Sequence, residues 1–355
     1  MSFTVLAINP GSTSTKVAIY DGEVLRFEEE IRHSHDELRE FQTILDQLPF
    51  RKEVIIRTLR SKEFQLSELD AIVGRGGLLR PLKGGTYKVT EKMKADLRMG
   101  VSGQHASNLG GLIAAELGEG YEIPIYIVDP VVVDELESVA RISGHKNYEK
   151  MSIFHALNHK ATARKVAREL NKTYETSRFI IAHLGGGISV AAHMNGLAID
   201  VNNALGGEGP FSPERAGTLP LSAFLDACFD QKHSKDELNK QLIGEGGVVS
   251  YLGTTDMREV EQMIASGDEY AALIFDAMAL QVSKEIASLS VHFGGNLDAI
   301  ILTGGLARSA SFVSKVSERT NFISKVIVSP GEDEMKALNE GAQRILVGEE
   351  SAREY

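Results

Sequence analysis

Short apolar runs that end in small, polar turns recur along this chain, and each run predicts a buried β-strand. Residues Phe3–Ile8 form one such run, the turn 9–15 follows, and Lys16–Tyr20 forms the next run before Asp21-Gly22 ends it. The same order of strand, glycine turn and strand returns within residues 179–193. Two hairpins of the same design, far apart in the chain, are a first indication of a duplicated domain.

A second pair of segments is closer in sequence. Leu69–Leu78 and Leu297–Leu306 share seven of ten residues, and each is an apolar run that enters a Gly-Gly turn. Chance would explain one short match, but the two pairs occur in the same order along the chain. This order favours duplication of an α/β domain.

Helical patterns occupy the stretches between the predicted strands. The main candidates are Ala156–Glu169, Glu269–Phe293 and Glu332–Glu349, the last of which follows a Pro-Gly pair. Alternation of strands with helices predicts an α/β fold in which mixed sheets are flanked by helices.

A chain of 355 residues is long enough for two domains of roughly 100–200 residues each. A polar stretch at 143–147 indicates the boundary. We therefore expect an N-terminal domain at 1–148 and a C-terminal domain at 149–331, with the closing segment 332–355 packing back on the first domain. The chain lacks a low-complexity linker, so we expect the two domains to pack around a cleft.

Charge and composition narrow the range of partners. The formal net charge is −11, whereas nucleic acids and anionic membranes require a basic surface, so neither partner is expected. The N-terminal residues lack the basic and long apolar regions of a signal peptide, and no run of about 18 apolar residues occurs. The single cysteine, Cys228, excludes an internal disulfide and fits a reducing compartment. We expect a cytoplasmic protein without a membrane span.

Three glycine turns are candidates for phosphate binding, because glycine and small hydroxyl residues let backbone N–H groups and hydroxyls approach a phosphate. The first turn, Asn9–Lys16, differs from a Walker A loop, since Thr15 replaces the second glycine and a strand follows the lysine. A plain hairpin is the alternative. Each turn follows a buried strand, which predicts that all three face the same side of their sheets. The candidate residues are Asn9, Gly11, Ser12, Ser14, Lys16, His183, Gly185, Gly186, Gly187, Gly304 and Gly305.

Two arginines lie among glycines, a setting that favours function over a solvated surface position. Arg75 lies within Gly74–Gly77 and Arg215 within Gly209–Gly217. A carboxylate acceptor is already ionised at neutral pH, so a phosphotransferase that acts on it needs cations and no general base. Arginine supplies a permanent, planar cation for this purpose.

Histidine and acidic residues offer further candidates. His155 and His159 are four residues apart, on one face of a predicted helix start; zinc would need a third ligand, and helix-cap or core histidines are the plain alternative. Oxygen ligands for Mg²⁺ are offered by Asp129, at the end of a predicted strand, and by the acidic run 332–334. Both also have structural alternatives, as a cap of the next element or as favourable charge at a helix start.

These segments together resemble the acetate kinase family over nearly the whole chain, within the superfamily of actin, sugar kinases and heat-shock ATPases. The resemblance rests on Asn9–Lys16, Phe154–Lys160, His183–Gly187, Arg215–Gly217 and Thr303–Gly305. It implies duplicated ribonuclease H-like domains of the actin-like ATPase kind, with ATP between glycine hairpins and the active site in the interdomain cleft.

The resemblance also implies roles for individual residues. Arg75 and Arg215 match the family's substrate-side arginines, and His155 matches the histidine that stabilises the phosphoryl group during transfer. The other implied roles are His105 as a further active-site histidine, His159 as a support of the cleft, His183 at the phosphates, Asp129 as a catalytic and metal-site residue, Glu334 at the metal, and Asn9 as the residue that orients a metal-bound water. The implied cofactors are ATP/ADP and Mg²⁺, and the implied assembly is a homo-oligomer.

One departure from acetate kinases concerns the acyl pocket. Acetate kinases usually carry a valine pair and a histidine where this chain has Gly76-Gly77-Leu78. Loss of the valine side chains is expected to enlarge the pocket. The chain resembles the butyrate kinases within the family in three respects: this departure, the residue sequence of Gly209–Gly217 and the compact length. The expected pocket residues are Gly76, Gly77, His105, Phe154 and Pro213.

We therefore expect reversible, direct in-line transfer of phosphate from ATP to a short-chain carboxylate, butyrate or a branched homologue such as isobutyrate. Acetate or propionate is the alternative acceptor, because one or two methylene groups discriminate by only about 1–3 kcal/mol. A sugar or polyol kinase of the same fold is a further alternative, with Asp129 as the base that a hydroxyl acceptor needs. A nucleotide-driven switch without an acceptor is the non-enzymatic alternative.

Overall fold

Two mixed β-sheets with flanking helices make up the computed structural model, which describes residues 2–230 and 232–355. Met1, which begins the N-terminal segment compared with a signal peptide, and Gln231 lie outside the described residues. The chain divides into two compact units. One comprises the chain up to Val133 together with Asp333–Tyr355, and the other comprises Asp134–Glu332.

This division falls before the expected boundary at residue 148. The segment after Val133 associates with the second sheet, since Glu137 N donates to the carbonyl of Ile199 at 2.9 Å and Lys150 forms an ion pair of 2.8 Å with Asp200. The polar stretch at 143–147 is therefore a surface loop of the second unit.

The strands of the first sheet lie in the order β3-β2-β1-β4-β6-β5 and those of the second in the order β11-β10-β7-β8-β9. Their bounds are β1 Thr4–Pro10, β2 Ser14–Asp21, β3 Val24–Arg32, β4 Ala71–Arg75, β5 Thr86–Lys88, β6 Ile125–Val128, β7 Arg178–Leu184, β8 Ile188–Met194, β9 Leu197–Val201, β10 Ala299–Thr303 and β11 Val326–Val328.

The helices of the described residues follow in chain order. Their bounds are α1 His35–Arg39, α2 Leu48–Ser61, α3 Glu91–Met99, α4 Asn108–Gly118, α5 Ser138–Arg141, α6 Ala156–Glu169, α7 Leu221–Phe229, α8 Lys235–Leu242, α9 Val248–Leu252, α10 Met257–Ala265, α11 Glu269–Leu289, α12 Ala310–Thr320 and α13 Glu334–Leu346. None of the helices within 2–230 and 232–355 is long and apolar enough to cross a membrane.

The two sheets repeat one topology. β1 pairs antiparallel with β2 and parallel with β4, just as β7 pairs antiparallel with β8 and parallel with β10. β3 and β9 extend the hairpins, while β6 and β11 extend the parallel sides. The similar segments Leu69–Leu78 and Leu297–Leu306 carry β4 and β10, which occupy equivalent places. The duplication expected from the sequence is therefore confirmed.

Helix α13 closes the first unit. Its face containing Ala337, Leu338 and Gly341 is buried, and a Cβ atom at Gly341 would lie 2.5 Å from a Val128 methyl group, so only glycine allows this close approach to β6. The Asn339 side chain donates to the carbonyl of Gly22 at 2.8 Å. The helix is shorter than the predicted Glu332–Glu349 at both ends.

Candidate active site

The first candidate phosphate turn is the tip of the β1–β2 hairpin. Gly11 N donates to the Ser14 carbonyl at 2.8 Å and closes the turn. Asn9 is paired with Lys16 across the hairpin, so their side chains emerge on the same face of the sheet. Ser14 shares that face, because side chains alternate along a strand. Gly11 and Ser12 lie at the accessible tip.

Arg51, on α2, binds this turn through hydrogen bonds from its guanidinium group. It is fully buried, and its guanidinium donates to the carbonyls of Ser12 and Ser14 at 3.1 and 2.8 Å and to Thr15 Oγ1 at 3.0 Å. Its other two N–H bonds go to Gln47 Oε1 at 3.0 and 2.8 Å. Burial lowers the pKa of Arg51 to about 10, so the side chain is still a cation at neutral pH.

Sequence reasoning missed Arg51, although a signal was present. The buried positions of α2 are Leu48, Arg51, Ile55 and Leu59, which follow the spacing of the apolar face of a helix. An arginine at such a position must have its donors satisfied inside the protein. An arginine on the apolar face of a predicted helix therefore indicates a buried set of acceptors.

Arg75, Asn9 and Glu334 meet in the first unit. Arg75 ends β4, and its Nη1 lies 2.8 Å from Glu334 Oε1 and 2.9 Å from Oε2. The same nitrogen donates to Asn9 Oδ1 at 3.3 Å, and Asn9 Nδ2 donates to Glu334 Oε2 at 2.5 Å. Glu334 is the first residue of α13, where an acid is favoured by the helix dipole.

The donor set of this cluster suits Mg²⁺. Magnesium commonly takes one or two carboxylates and completes its shell with phosphate oxygens and waters. Glu334 and the amide oxygen of Asn9 offer such ligands, while the part of the chain that the structure describes holds no group of three or more His, Cys, Asp or Glu residues disposed around one metal position. Asp129 is buried, has a left-handed φ of 38° and accepts a hydrogen bond of 2.6 Å from Gly85 N.

Gly76 and Gly77, which were expected to open space for a longer acyl chain, lie in closely packed surroundings. A Cβ atom at Gly76 would lie 2.5 Å from Pro130 Cβ, and one at Gly77 would lie 2.4 Å from Asn108 Oδ1. The two glycines allow Pro130 and Asn108 to approach the backbone closely. His105 lies three residues before Asn108, and its Nδ1 accepts from Ser107 N at 3.2 Å.

In the second unit, His155 stacks on His183. Their ring centroids are 3.8 Å apart and their planes are inclined by 11°. His183 Nδ1–H donates to Asn158 Oδ1 at 2.8 Å, and its Nε2 lies 3.1 Å from Glu332 Oε1. The two candidate histidines therefore lie side by side, with His183 near the end of β7 and His155 at the start of α6.

Behind His155 lies a hydrogen-bonded row of buried side chains. Ser189 Oγ is 2.9 Å from His155 Nδ1 and 2.9 Å from His159 Nε2. His159 Nδ1 is 3.1 Å from His193 Nε2, and His193 Nδ1 is 2.8 Å from the Tyr174 hydroxyl. Burial lowers the pKa of His159 and of His193 well below the usual value. Phe154, expected at the acyl pocket, packs edge-on against the His159 ring at 5.1 Å.

Arg215 is the second candidate arginine and is held in a buried loop. Its Nη1 donates to the Ala204 carbonyl at 2.7 Å. Burial lowers the pKa of Arg215, and the nearby Glu214 opposes that effect. Among residues 2–230 and 232–355, Arg215 Nε is the one buried side-chain nitrogen or oxygen without a hydrogen-bond partner. A Cβ atom at Gly187 would lie 2.2 Å from Arg215 Nη1.

A pocket of about 530 Å³ lies between the second and third glycine turns, within the range typical of small-molecule sites. A Cβ atom at Gly304 would lie 2.4 Å from the Leu184 carbonyl, so the third turn packs directly on the end of β7. The lining includes the predicted Gly185, Gly186 and Gly305, Pro213, which was expected at the acyl pocket, and the unpredicted Glu214, Thr255, Asp256, Met257, Arg258, Glu261, Leu306, Arg308 and Ser309.

Solved structures of carboxylate kinases share this fold. The crystal structure of Porphyromonas gingivalis acetate kinase matches 97% of this chain and 100% of its own, with a TM-score of 0.78 and 18% identity. A propionate kinase structure from Francisella tularensis subsp. tularensis matches 95% of this chain and 98% of its own, with a TM-score of 0.73 and 20% identity. Identities this low establish the fold alone, and they confirm the expected actin-like ATPase fold.

Other proteins are more similar to this chain in sequence than these structures are. A probable butyrate kinase of Listeria monocytogenes serovar 1/2a is 57% identical over 355 residues, which is 100% of this chain and 100% of that protein. A family model described as the acetokinase family matches residues 143–353. With full-length identity of this degree and a family match over more than half of its residues, this chain belongs to the acetokinase family.

Proposed function

We propose that this chain transfers the γ-phosphoryl group of ATP reversibly to a short-chain carboxylate, giving ADP and an acyl phosphate. The proposed acceptor is butyrate or a branched homologue such as isobutyrate, with acetate or propionate as the alternative. Support for the butyrate type comes from the relative that is 57% identical over the full length and is named a probable butyrate kinase.

The observation that carries the proposal is the unpaired, buried Nε–H of Arg215. Leaving such a donor without an acceptor costs about 1–3 kcal/mol, and native proteins rarely keep one without a functional reason. An anionic oxygen of the substrate would satisfy it. A guanidinium is also suited to hold a carboxylate against the negative charge of a phosphate.

The proposed chemistry needs no general base. An ionised carboxylate oxygen attacks the γ-phosphorus, and the bond from that phosphorus to the β–γ bridging oxygen breaks in line, leaving its electron pair on ADP. Arg75 and Arg215 neutralise charge on the acceptor and the moving group, and His155 donates a hydrogen bond to its equatorial oxygens. Preorganised donors of this kind stabilise the transition state.

The nucleotide is proposed to bind by its phosphates at the glycine turns and by its adenosine in the 530 Å³ pocket. Glu334 and Asn9, with Asp129, are the proposed residues for Mg²⁺. When bound, the ion supplies charge neutralisation for the phosphate oxygens.

A coupled assay of ADP release with formate, acetate, propionate, butyrate, isobutyrate, valerate and isovalerate tests the proposal. We expect acid-dependent turnover that is greatest with butyrate or a branched acid, and maximal turnover with acetate would refute the butyrate type. Arg215→Gln should lower kcat/KM for the acid by about two orders of magnitude. Arg80→Gln is the control, because Arg80 is an exposed arginine paired with Asp96.

Product chemistry separates the alternatives. Hydroxylamine converts an acyl phosphate to a hydroxamate but does not react in this way with a sugar phosphate. Hydroxamate that forms only with an acid present supports a carboxylate kinase. ADP release that no acid stimulates would instead indicate a nucleotide switch.

We also propose that the chain forms a homo-oligomer. Helix α7 supports this proposal, since Leu221, Leu225 and Phe229 are 80%, 55% and 76% exposed, and apolar patches of this kind mark association surfaces. Light scattering of the purified protein should give a mass above that of one chain. Leu225→Glu should reduce that mass, and a monomeric wild-type protein would refute the proposal.

A further inference from the structure

We propose that Ser189, His159, His193 and Tyr174 are positioning residues that hold His155 as the neutral imidazole with its proton on Nε2. This inference rests on the proposed role of His155 as a donor to the transferred phosphoryl group. It assigns a function to side chains that otherwise look like buried polar core.

The row is continuous from the site to the core. Successive contacts from His155 Nδ1 through Ser189, His159 and His193 to the Tyr174 hydroxyl measure 2.9, 2.9, 3.1 and 2.8 Å. Ser189, His159 and His193 are each 0% exposed. Water therefore does not compete for these bonds, and each group must find its partner within the row.

Because the buried imidazoles are neutral, the hydrogen bonds along the row must all run in the same donor-to-acceptor direction. The burial of His159 and His193 lowers the pKa of each ring, so each carries one proton and must donate at one nitrogen and accept at the other. If Tyr174 donates to His193 Nδ1, then His193 Nε2–H donates to His159, and His159 Nε2–H donates to Ser189. The Ser189 hydroxyl then donates to His155 Nδ1, and the His155 proton lies on Nε2.

The outer end of the row favours this direction over its reverse. At the inner end, the Lys160 ammonium lies 5.4 Å from the Tyr174 ring centroid but is paired with Glu135 at 2.9 Å, and the Arg164 guanidinium lies 5.5 Å from the same ring. At the outer end, phosphoryl oxygens accept hydrogen bonds and cannot donate them. The reversed row would leave a lone pair on His155 Nε2, which would repel those oxygens.

The consequence is a histidine that donates without first being protonated. The tautomer of a histidine is set by the hydrogen bond at its other nitrogen. The donor at Nε2 should therefore persist across neutral and mildly alkaline pH.

Long-range ¹H–¹⁵N NMR of protein labelled at histidine nitrogen tests this directly, with His155 assigned by the His155→Gln spectrum. The full-length wild-type protein should show His155 with its proton on Nε2. Ser189→Ala and Tyr174→Phe should each raise the fraction protonated on Nδ1. Both should lower kcat by about tenfold or more while KM for ATP changes little. Ser189→Thr keeps the hydroxyl and should restore the wild-type tautomer.

Ser283→Ala is the matched control, because Ser283 is a buried serine whose hydroxyl donates to Ala279 within α11 at 2.8 Å. It should leave the tautomer and kcat unchanged. A wild-type His155 protonated on Nδ1, or a tautomer that Ser189→Ala does not alter, would overturn the inference. A missing acid-dependent turnover would refute the proposed function, while the NMR result still decides the tautomer.

Discussion

Gly187 lies against the guanidinium of Arg215 so closely that a Cβ atom there would be 2.2 Å from Nη1 and 2.6 Å from Cζ. The turn that is expected to hold phosphate thus also fixes the arginine that is expected to hold the acceptor. A side chain at Gly187 must displace Arg215, because two atoms cannot occupy that space.

Gly187→Ala should therefore damage the reaction through Arg215. A displacement of about 1 Å at a reacting group lowers turnover by about a hundredfold, so we expect a fall of that order in kcat/KM for the acid. Steady-state kinetics with the acid and ATP varied separately will measure it. Gly144→Ala is the control, since a Cβ atom at Gly144 meets nothing within 4 Å. Wild-type kinetics in Gly187→Ala would remove Arg215 from the site.

Arg51 provides a second prediction. Arg51→Lys keeps a charge but cannot reach Ser12, Ser14, Thr15 and Gln47 together, because an ammonium has only three donors. We expect a loss of about 2–4 kcal/mol in the free energy of unfolding and a KM for ATP raised about tenfold through the loosened turn. Urea unfolding and initial-rate kinetics measure the two effects.

Arg57→Gln is the matched control, because Arg57 is exposed on the same helix, with Glu53 as a distant partner at 3.8 Å. Its effect on the free energy of unfolding should stay within about 0.5 kcal/mol. If Arg51→Lys behaves like Arg57→Gln, the proposed support of the phosphate turn is wrong.

The pocket beside Gly305 gives a third prediction. A Cβ atom at Gly305 meets nothing within 4 Å, and Gly305 lines the 530 Å³ pocket, so a large side chain would fill nucleotide space without disturbing the fold. Gly305→Phe should weaken ATP binding by about 1–3 kcal/mol, which raises KM for ATP about 5- to 150-fold. KM for the acid should be unchanged. Gly305→Ala should resemble wild type, and an unaltered KM for ATP in Gly305→Phe would place adenosine elsewhere.

The buried histidines predict acid sensitivity. The pKa of His159 is lowered by burial and then by His193, and that of His193 by burial and then by Lys160. The folded protein therefore binds fewer protons there than the unfolded chain, whose histidines titrate near pH 6.5. The stabilisation is complete above that pH and is lost as pH falls. Each site contributes a slope of up to about 1.4 kcal/mol per pH unit.

Urea midpoints measured from about pH 7.5 down to about pH 5.5 will show this slope. His193→Asn should lower the free energy of unfolding overall. It should also make the dependence of that free energy on pH less steep, by roughly the contribution of one histidine. His145→Asn is the control, because His145 is exposed, and it should keep the wild-type slope. An unchanged slope in His193→Asn would mean that His193 does not stay neutral.

Local patterns predicted local elements well. Helix α6 spans Ala156–Glu169, as its composition indicated, and the similarity of Leu69–Leu78 to Leu297–Leu306 identified two strands at equivalent places in two sheets. These features depend on residues close together in the chain. For the same reason the residue pattern around Gly11 is sufficient to predict a hairpin tip there.

Local residue patterns do not show which distant residues become neighbours in the fold. The absence of side chains at Gly76 and Gly77 suggests open space, but Pro130 and Asn108 occupy that space. Arg51 likewise meets the turn at Ser12 only through the fold. A missing or unusual side chain signals a special environment, yet only tertiary structure shows what fills it.

The late place of helix α13 in the chain affects the order in which the parts of the two units become available during synthesis. The unit that contains β1 is interrupted by Asp134–Glu332 and resumes only at Asp333, whereas the inserted unit is continuous and can fold as soon as it leaves the ribosome. The chain that carries β1 must wait for the whole inserted unit to be synthesised before Glu334 reaches Arg75. The nascent protein therefore carries Arg75 without its acidic partner Glu334 through most of its synthesis, and the last helix of the first unit to be synthesised is also the one that supplies this partner.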